Sequence, residues 1–166
     1  MLMRFILHLH LVNSDGVILQ HSVRIPDIVT VEEAQALFAT TRCLSYRVFY
    51  FTVYSMGLRL SEGLALKVGD IDATRSRVHV RDSKGNRDRL VPLPTATLSV
   101  LRRFWQTHRN PQWLFPNRLG GLKAAHSART PLDRGGVQKT LRQVAMACGL
   151  KSVFMSSFVR SLKYLR

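Results

Sequence analysis

The chain has 166 residues, of which 46% are hydrophobic and 8% aromatic, as expected for one globular domain or one domain with a small appendage. Its 25 lysine and arginine residues exceed its 10 acidic residues, so the formal net charge is +15. This composition excludes a disordered tail and a collagen-like fibre, and the lack of a run of about 18 apolar residues excludes a membrane-spanning segment. The charge predicts a polyanionic partner.

The excess positive charge is confined to the later part of the chain. Residues 1–71 contain six basic and six acidic residues, so the whole excess of 15 lies in residues 72–166. No acidic residue occurs between Arg134 and Arg166. We therefore expect the neutral segment to build the scaffold and the basic segment to face the polyanion.

The cysteines and the first residues indicate a compartment. Cys43 and Cys148 are far apart in sequence, which argues against a zinc ribbon or a C-x-x-C redox pair and favours reduced thiols. The apolar run at the start is interrupted by histidines and is followed by no small-residue cleavage site, so a signal peptide is not expected. These features predict a cytoplasmic protein.

Residues 7–19 are predicted to form a β-hairpin. Leucine and histidine alternate at 7–11, and the turn-forming residues 13–16 follow them. His8 and His10 would share one strand face, with His21 possible opposite them, but no carboxylate or cysteine completes a ligand set. No metal site is expected here.

Two helices are predicted next in the chain. Thr30 and Glu33 have the spacing of a capping box, which starts a helix. Residues 44–56 are apolar on nearly all sides, as in a central core helix, and Gly57 stands where a left-handed cap ends it. Three tyrosines of this helix are assigned to core packing and not to catalysis: Tyr46, Tyr50 and Tyr54.

The pattern then changes to period two. Valine alternates with basic residues at 77–81, residues 83–86 have turn chemistry, and residues 90–93 supply a return strand, so an antiparallel hairpin carries Lys84 at its tip. Helical spacing returns around 98–105 and 137–148, with a basic, glycine-containing mobile loop expected at 117–131. The predicted class is α+β, mostly helical with a small antiparallel sheet.

Arg59 is the most informative basic residue of the neutral segment. It lies between the core helix and a new helix start, which Ser61 is expected to cap, leaving free amide donors directed outward. A guanidinium there can hold two phosphate oxygens at once. The alternative is a purely structural pair between Arg59 and Glu62, and the residues leave both possibilities open.

Three sequence blocks occur in a fixed order: G-L-R-L-S-E at 57–62, K-G-N-R-D-R-L-V-P-L at 84–93 and L-F-P at 114–116. Together they resemble the catalytic domain of the tyrosine recombinases, the phage integrase family, over about residues 26–150. The resemblance implies that a tyrosine attacks a DNA phosphodiester and forms a 3′-phosphotyrosyl link. The strand later returns to a 5′-hydroxyl, and the reaction uses no metal or other cofactor.

The resemblance also implies roles for individual residues. Arg59 matches the family's first catalytic arginine, Lys84 matches the hairpin lysine that protonates the leaving 5′-oxygen, and Glu62 supports the arginine. Duplex DNA is the expected partner, together with other recombinase subunits. The other basic side chains assigned to DNA binding are Arg81, Arg87, Arg89, Lys123, Arg129, Arg134, Lys139 and Arg142.

Two parts of the family pattern are not matched. The second arginine belongs to an H-x-x-R motif beyond the helix that ends near Gly149, and no histidine follows that position. The strings at 21–24 and 126–129 precede it and are expected by chance, and Tyr164 stands too early for the nucleophile. We therefore hypothesise that an early stop or frameshift interrupted an integrase reading frame, leaving a DNA-binding fragment that does not cleave.

The predicted domains are an N-terminal hairpin or extension at 1–25, a partial catalytic domain at 26–150 and a basic amphipathic tail at 151–166. Two alternatives remain open. The chain could transfer DNA strands with Tyr164 and a histidine and arginine from the 117–131 loop. It could also be a non-enzymatic basic adaptor that binds nucleic acid, RNA included, or that inhibits intact recombinases.

Overall fold

The computed structural model describes residues 29–83 and 87–150, apart from the side chains at 82, 83 and 87. The predicted hairpin at 7–19, the turn with Lys84 and the tail at 151–166 lie outside the described residues. The helices and strands follow in the order α1 (Val31–Thr40), α2 (Leu44–Met56), α3 (Leu60–Ala65), β1 (Ile71–Asp72), β2 (Arg77–Ser83), β3 (Arg87–Pro92), α4 (Thr95–His108), α5 (Gly121–Ala124) and α6 (Arg134–Ala147).

Local sequence signals set the ends of α1 and α2. The hydroxyl of Thr30 accepts a hydrogen bond from the Glu33 amide at 3.2 Å, and the Glu33 carboxylate accepts one from the Thr30 amide at 2.9 Å. Gly57 adopts φ 62°, a left-handed conformation that glycine enters without steric cost, and ends α2. The predicted capping box, helix 44–56 and cap are confirmed.

Helix α2 forms the centre of the core. Phe49 packs edge-to-face on Phe115 with ring centroids 5.1 Å apart, and the Tyr50 hydroxyl donates to the Val137 carbonyl of α6 at 2.8 Å. Burial raises the pKa of Tyr50, and the neighbouring Tyr46 raises it further. Tyr50 therefore serves core packing, as predicted, and stays neutral.

Helix α3 packs closely on α2 because Gly63 has no side chain. A Cβ at Gly63 would lie 2.7 Å from Val53 Cγ2, closer than real Cβ contacts allow, and 3.1 Å from Phe49 Cε2, which is a tight contact. This contact fixes the first turn of α3 against the core, and with it the position of Arg59 and Glu62.

The sheet is antiparallel, with the strand order β1-β2-β3. Val78 pairs with Val91 and Val80 with Arg89, and the three valines are buried. Because side chains directly across a ladder share a face, Arg89 is directed to the core side of the hairpin. The hairpin was predicted; β1 was not, because two residues are too short to show a period.

The sequence predicts a mobile, glycine-containing loop at 117–131, and the structure shows that this segment is not purely a loop. It contains α5 and a 3-10 turn, Ala125–Ser127, and the Asn117 amide donates to the Thr130 carbonyl at 2.9 Å, which closes its two ends together. The Asn110 side-chain amide donates to three carbonyls inside it, those of Ala125, His126 and Ala128, at 2.9 to 3.0 Å. Residues 117–130 thus form a compact Ω-loop.

Helices α4 and α6 are amphipathic, as predicted, and start three residues earlier than the predicted segments. Leu101 and Phe104 bury the inner face of α4, and Val137 and Leu141 that of α6. Gly149 takes φ 68° after α6, in agreement with its predicted closing role. Among the described helices, none is long and apolar enough to cross a bilayer.

Candidate nucleic-acid interface

The carboxylate of Glu62 is the centre of the candidate site. Its side chain is only 4% exposed, and Oε1 accepts a hydrogen bond from Arg59 Nη1 at 2.6 Å. Oε2 accepts from the Arg59 backbone amide at 2.7 Å and from Arg89 Nη2 at 2.9 Å. One buried carboxylate therefore joins α3 to β3.

These contacts keep Glu62 ionised. Burial by itself raises the pKa of Glu62, but the Arg59 amide and the guanidinium groups of Arg89 and Arg59 outweigh it and hold that pKa below its ordinary value. Among the described side chains, two guanidinium groups thus contact one carboxylate. Guanidinium groups of this kind are suited to binding a phosphodiester.

Two sequence expectations about this helix start are resolved. Ser61 does not cap it: α3 begins at Leu60, its N-cap is Arg59, and the carboxylate that closes the turn is that of Glu62. The Arg59 amide and the Arg59 guanidinium are consequently both paired with the Glu62 carboxylate. The Arg59–Glu62 pair considered as the structural alternative is present.

Arg59 and Arg89 are each about one-third exposed, at 36% and 34% of the side chain. Their guanidinium groups therefore reach solvent while one edge of each is fixed on Glu62. Arg89 Nε is buried and has no hydrogen-bond partner among the described residues. A planar guanidinium held in this way presents its remaining N–H groups in a fixed direction, as binding to a phosphate requires.

A second buried carboxylate holds the other strand of the hairpin. The side chain of Asp70 is 2% exposed, and it accepts from the Lys67 amide at 2.9 Å and from Arg81 Nε at 2.8 Å. This repeats the arrangement at Glu62: the acid binds the backbone amide three residues before it and one hairpin arginine. Arg81 and Arg89, both predicted to bind DNA, are therefore anchored on separate acids.

Five of the other side chains predicted to bind DNA are exposed: Lys123, Arg129, Arg134, Lys139 and Arg142. Lys84 and the side chain of Arg87 lie outside the described part of the chain. His126 belongs to the second H-x-x-R string, and its Nδ1 lies 2.8 Å from the Arg109 carbonyl oxygen.

Sequence reasoning missed the Asp70–Arg81 pair and the sharing of Glu62 by Arg89. The sequence did contain a signal for the contact of each acid with the backbone. Glu62 and Asp70 stand three residues after Arg59 and Lys67, the spacing at which a carboxylate accepts from the backbone amide. In the described ranges, no group of three or more His, Cys, Asp or Glu side chains is arranged to hold a metal ion.

Comparison with known proteins supports the resemblance found in the sequence. A putative integrase/recombinase of Sinorhizobium fredii, y4qK, is 37% identical over 114 residues, which cover 69% of this chain and 34% of that protein. Tyrosine recombinase XerA of Pyrococcus horikoshii is 28% identical over 107 residues, covering 64% and 38%. The chain thus spans between about a third and two fifths of the length of these relatives.

Solved structures show the same fold. The XerA recombinase crystal structure has a TM-score of 0.62 at 20% identity, covering 84% of this chain and 50% of that one. A lambda integrase dimer bound to a core site has a TM-score of 0.59 at 16% identity, covering 84% and 52%. The phage integrase family pattern matches residues 27–162. The match starts near residue 26, as the resemblance in the sequence does, and extends beyond Leu150. The chain therefore belongs to the phage integrase family and has the fold of the tyrosine recombinase catalytic domain.

Proposed function

We propose that this chain binds duplex DNA in the manner of a recombinase catalytic domain, with Arg59 and Arg89 holding one backbone phosphate. The observation that carries the proposal is the sharing of the buried Glu62 carboxylate by two partly exposed guanidinium groups. Because both guanidinium groups are already held by the Glu62 carboxylate, they lose little conformational entropy when they bind a phosphate.

The surface charge supports the same function. Exposed basic side chains lie on the Ω-loop and on α6, and 19 of the 25 basic residues follow residue 71. Each phosphate neutralised by such a residue releases counterions, so the logarithm of the association constant falls by about 0.9 per phosphate for each tenfold rise in salt. Among related folds, XerH bound to its difH substrate and lambda integrase bound to a core site were solved as DNA complexes.

Strand cleavage is not proposed for these residues alone. Arg59 and Glu62 match family positions and Lys84 matches the hairpin lysine, but no H-x-x-R string follows Gly149 in the 166 residues. Catalytic groups that act as a unit give little activity when some are missing. The association with other recombinase subunits and the cytoplasmic location remain predictions.

The test is a titration of fluorescein-labelled duplex DNA, followed by anisotropy at several salt concentrations. We expect tight binding at low salt, a steep loss of affinity by physiological salt, and weaker binding by Arg59→Ala. Arg102→Ala is the matched control, because it removes an exposed arginine of α4 outside the site. Affinity that is absent, or that does not change with salt, would contradict the proposal.

A covalent assay separates DNA binding from strand transfer. A nicked duplex traps a 3′-phosphotyrosyl protein if a tyrosine attacks, because the short departing strand diffuses away. We expect no adduct with the wild-type chain. An adduct that disappears in Tyr164→Phe would instead establish the active-enzyme alternative.

A further inference from the structure

The tip of the Ω-loop projects an apolar side chain into solvent. Leu119 is 83% exposed, the highest value among the exposed large hydrophobic residues of the described chain. Isolated exposed leucines are common on protein surfaces and indicate nothing by themselves. Three further properties distinguish this one: its backbone is held, its loop is anchored, and the loop segment 117–130 contains no acidic residue.

The backbone around Leu119 is held by hydrogen bonds and glycine conformations. The Leu119 amide donates to Asn117 Oδ1 at 3.0 Å, and the Gly121 amide donates to the Arg118 carbonyl at 2.9 Å. Gly120 and Gly121 have φ of 84° and 82°, which other residues rarely adopt. The turn is thus already formed, so a ligand that meets Leu119 would not have to order it.

The residue next to Leu119 anchors the tip on the core. Arg118 Nη1 donates to Cys43 Sγ at 2.6 Å, and its guanidinium lies over the Tyr46 ring, 5.5 Å from the centroid. Both partners are at the start of α2. At 1.5 Å per residue, the 13 residues of α2 separate this anchor from the Arg59 end by roughly 20 Å. The loop tip is therefore a contact distinct from the phosphate site.

The electrostatics around the tip are those of a surface for an anion. Residues 117–130 contain no aspartate or glutamate, and Lys123 and Arg129 are exposed. An apolar side chain on a preformed turn, in a loop that also carries exposed cations, fits a duplex, because the cations can bind phosphates while the side chain enters between base pairs. A protein partner of ordinary composition would leave these cations unpaired.

We propose that Leu119 acts as an apolar wedge that enters the duplex and partly unstacks a base step, with Lys123 and Arg129 on the flanking phosphates. The proposal rests on the DNA-binding function proposed above and adds a second contact with a different chemistry. Unstacking a base step costs free energy, which the additional phosphate contacts of the bent duplex offset.

The experiment compares Leu119→Ala with Met146→Ala on duplexes that carry 2-aminopurine at successive positions. Met146 is the matched control, because it is 70% exposed and lies near the end of α6. Wild type and Met146→Ala should raise 2-aminopurine fluorescence at one step, whereas Leu119→Ala should abolish the rise. The affinity for duplex DNA should fall by about threefold to tenfold in Leu119→Ala and in neither of the others, as expected for the loss of one contact. Leu119→Met should restore the signal.

Three outcomes would overturn the proposal. If Leu119→Ala binds DNA and changes the fluorescence as wild type does, the wedge is wrong while the DNA-binding function stands. If wild type binds no duplex, both fail. If Leu119→Ala keeps its DNA affinity and fluorescence signal but changes the self-association seen in sedimentation, Leu119 belongs to a protein contact.

Discussion

Arg89 of β3 donates to Glu62 of α3 at 2.9 Å, and through this contact the hairpin and the helix that carries Arg59 are held by one carboxylate. The partners are 27 residues apart in sequence. Arg89 reaches Glu62 because it stands opposite Val80, on the buried face of the hairpin. A basic residue assigned from sequence to DNA contact is therefore also part of the scaffold that orients Arg59.

Arg89→Lys should weaken the binding of duplex DNA while leaving net charge unchanged. Lysine keeps the cation but lacks the planar fork that allows one group to contact both Glu62 and a phosphate, so we expect affinity to fall by about threefold to tenfold. Anisotropy at constant salt measures the change. Arg102→Lys, on the exposed face of α4, should bind as wild type does; an equal loss in both variants would contradict the assignment.

Glu62→Gln should destabilise the fold by about 2 kcal/mol, because a neutral amide accepts more weakly from two guanidinium groups and directs an N–H donor toward one of them. Urea unfolding at neutral pH measures this. Glu32→Gln makes the same charge change on the exposed surface of α1 and should have little effect.

The same pair of variants tests the pH dependence. Because the folded-state pKa of Glu62 lies below the ordinary value of 4.5, its contribution is complete above that value and is lost as the pH falls through the lower folded pKa. Glu62→Gln should remove that acid-dependent part of the stability, and Glu32→Gln should retain it. Identical acid profiles for Glu62→Gln and wild type would show that Glu62 is not the group that titrates.

His108 should make the fold less stable in mild acid. The pKa of this residue is lowered from 6.5 to about 4, mainly because it is buried; the Leu114 backbone opposes the shift and the nearby His126 adds to it. Its Nδ1 accepts from the Asn110 amide at 3.0 Å, so protonation breaks that bond. As the pH falls, His108 takes up a proton in the unfolded chain before it does so in the folded protein. Its contribution to the free energy of unfolding is therefore complete above about pH 6.5 and falls toward pH 4, by about 3 kcal/mol in all.

The measurement for His108 is the slope of unfolding free energy against pH between 6.5 and 4. His108→Gln should be less stable at neutral pH and should lose most of this slope, whereas His126→Gln, which changes an exposed histidine, should keep most of it, because burial is the largest cause of the His108 shift. A slope that persists in His108→Gln would assign the titration to another group.

Gly63→Ala should destabilise the fold by about 1–3 kcal/mol, because the added methyl group lies 2.7 Å from Val53 Cγ2 and must push α3 away from α2. The displacement carries Arg59 with it, so DNA affinity should fall as well. Gly69→Ala is the control, since nothing lies within 4 Å of a Cβ at that position. Equal melting temperatures for Gly63→Ala and wild type would contradict the packing described.

Local patterns in the sequence were enough to predict several helices with their ends, and short motifs were enough to identify the family. Thr30 and Glu33, the apolar run of α2 and Gly57 predicted two helices and their ends, because capping and periodicity depend on residues a few positions apart. The blocks at 57–62, 84–93 and 114–116 together predicted the family. The expectation that Ser61 caps α3 was wrong because the helix begins at Leu60: Arg59 is the N-cap, Glu62 accepts from its amide, and Ser61 lies inside the first turn.

Which arginine contacts which buried acid depends on the tertiary structure. Glu62 takes Arg89 from 27 residues away and Asp70 takes Arg81 from 11 residues away. The order of the 117–130 loop depends on Asn110, which lies outside it. These pairings depend on strand register and on how α3 packs against α2, and a local pattern holds no information about either. The basic segment was visible in the composition, but its division into anchored and exposed arginines arose from folding.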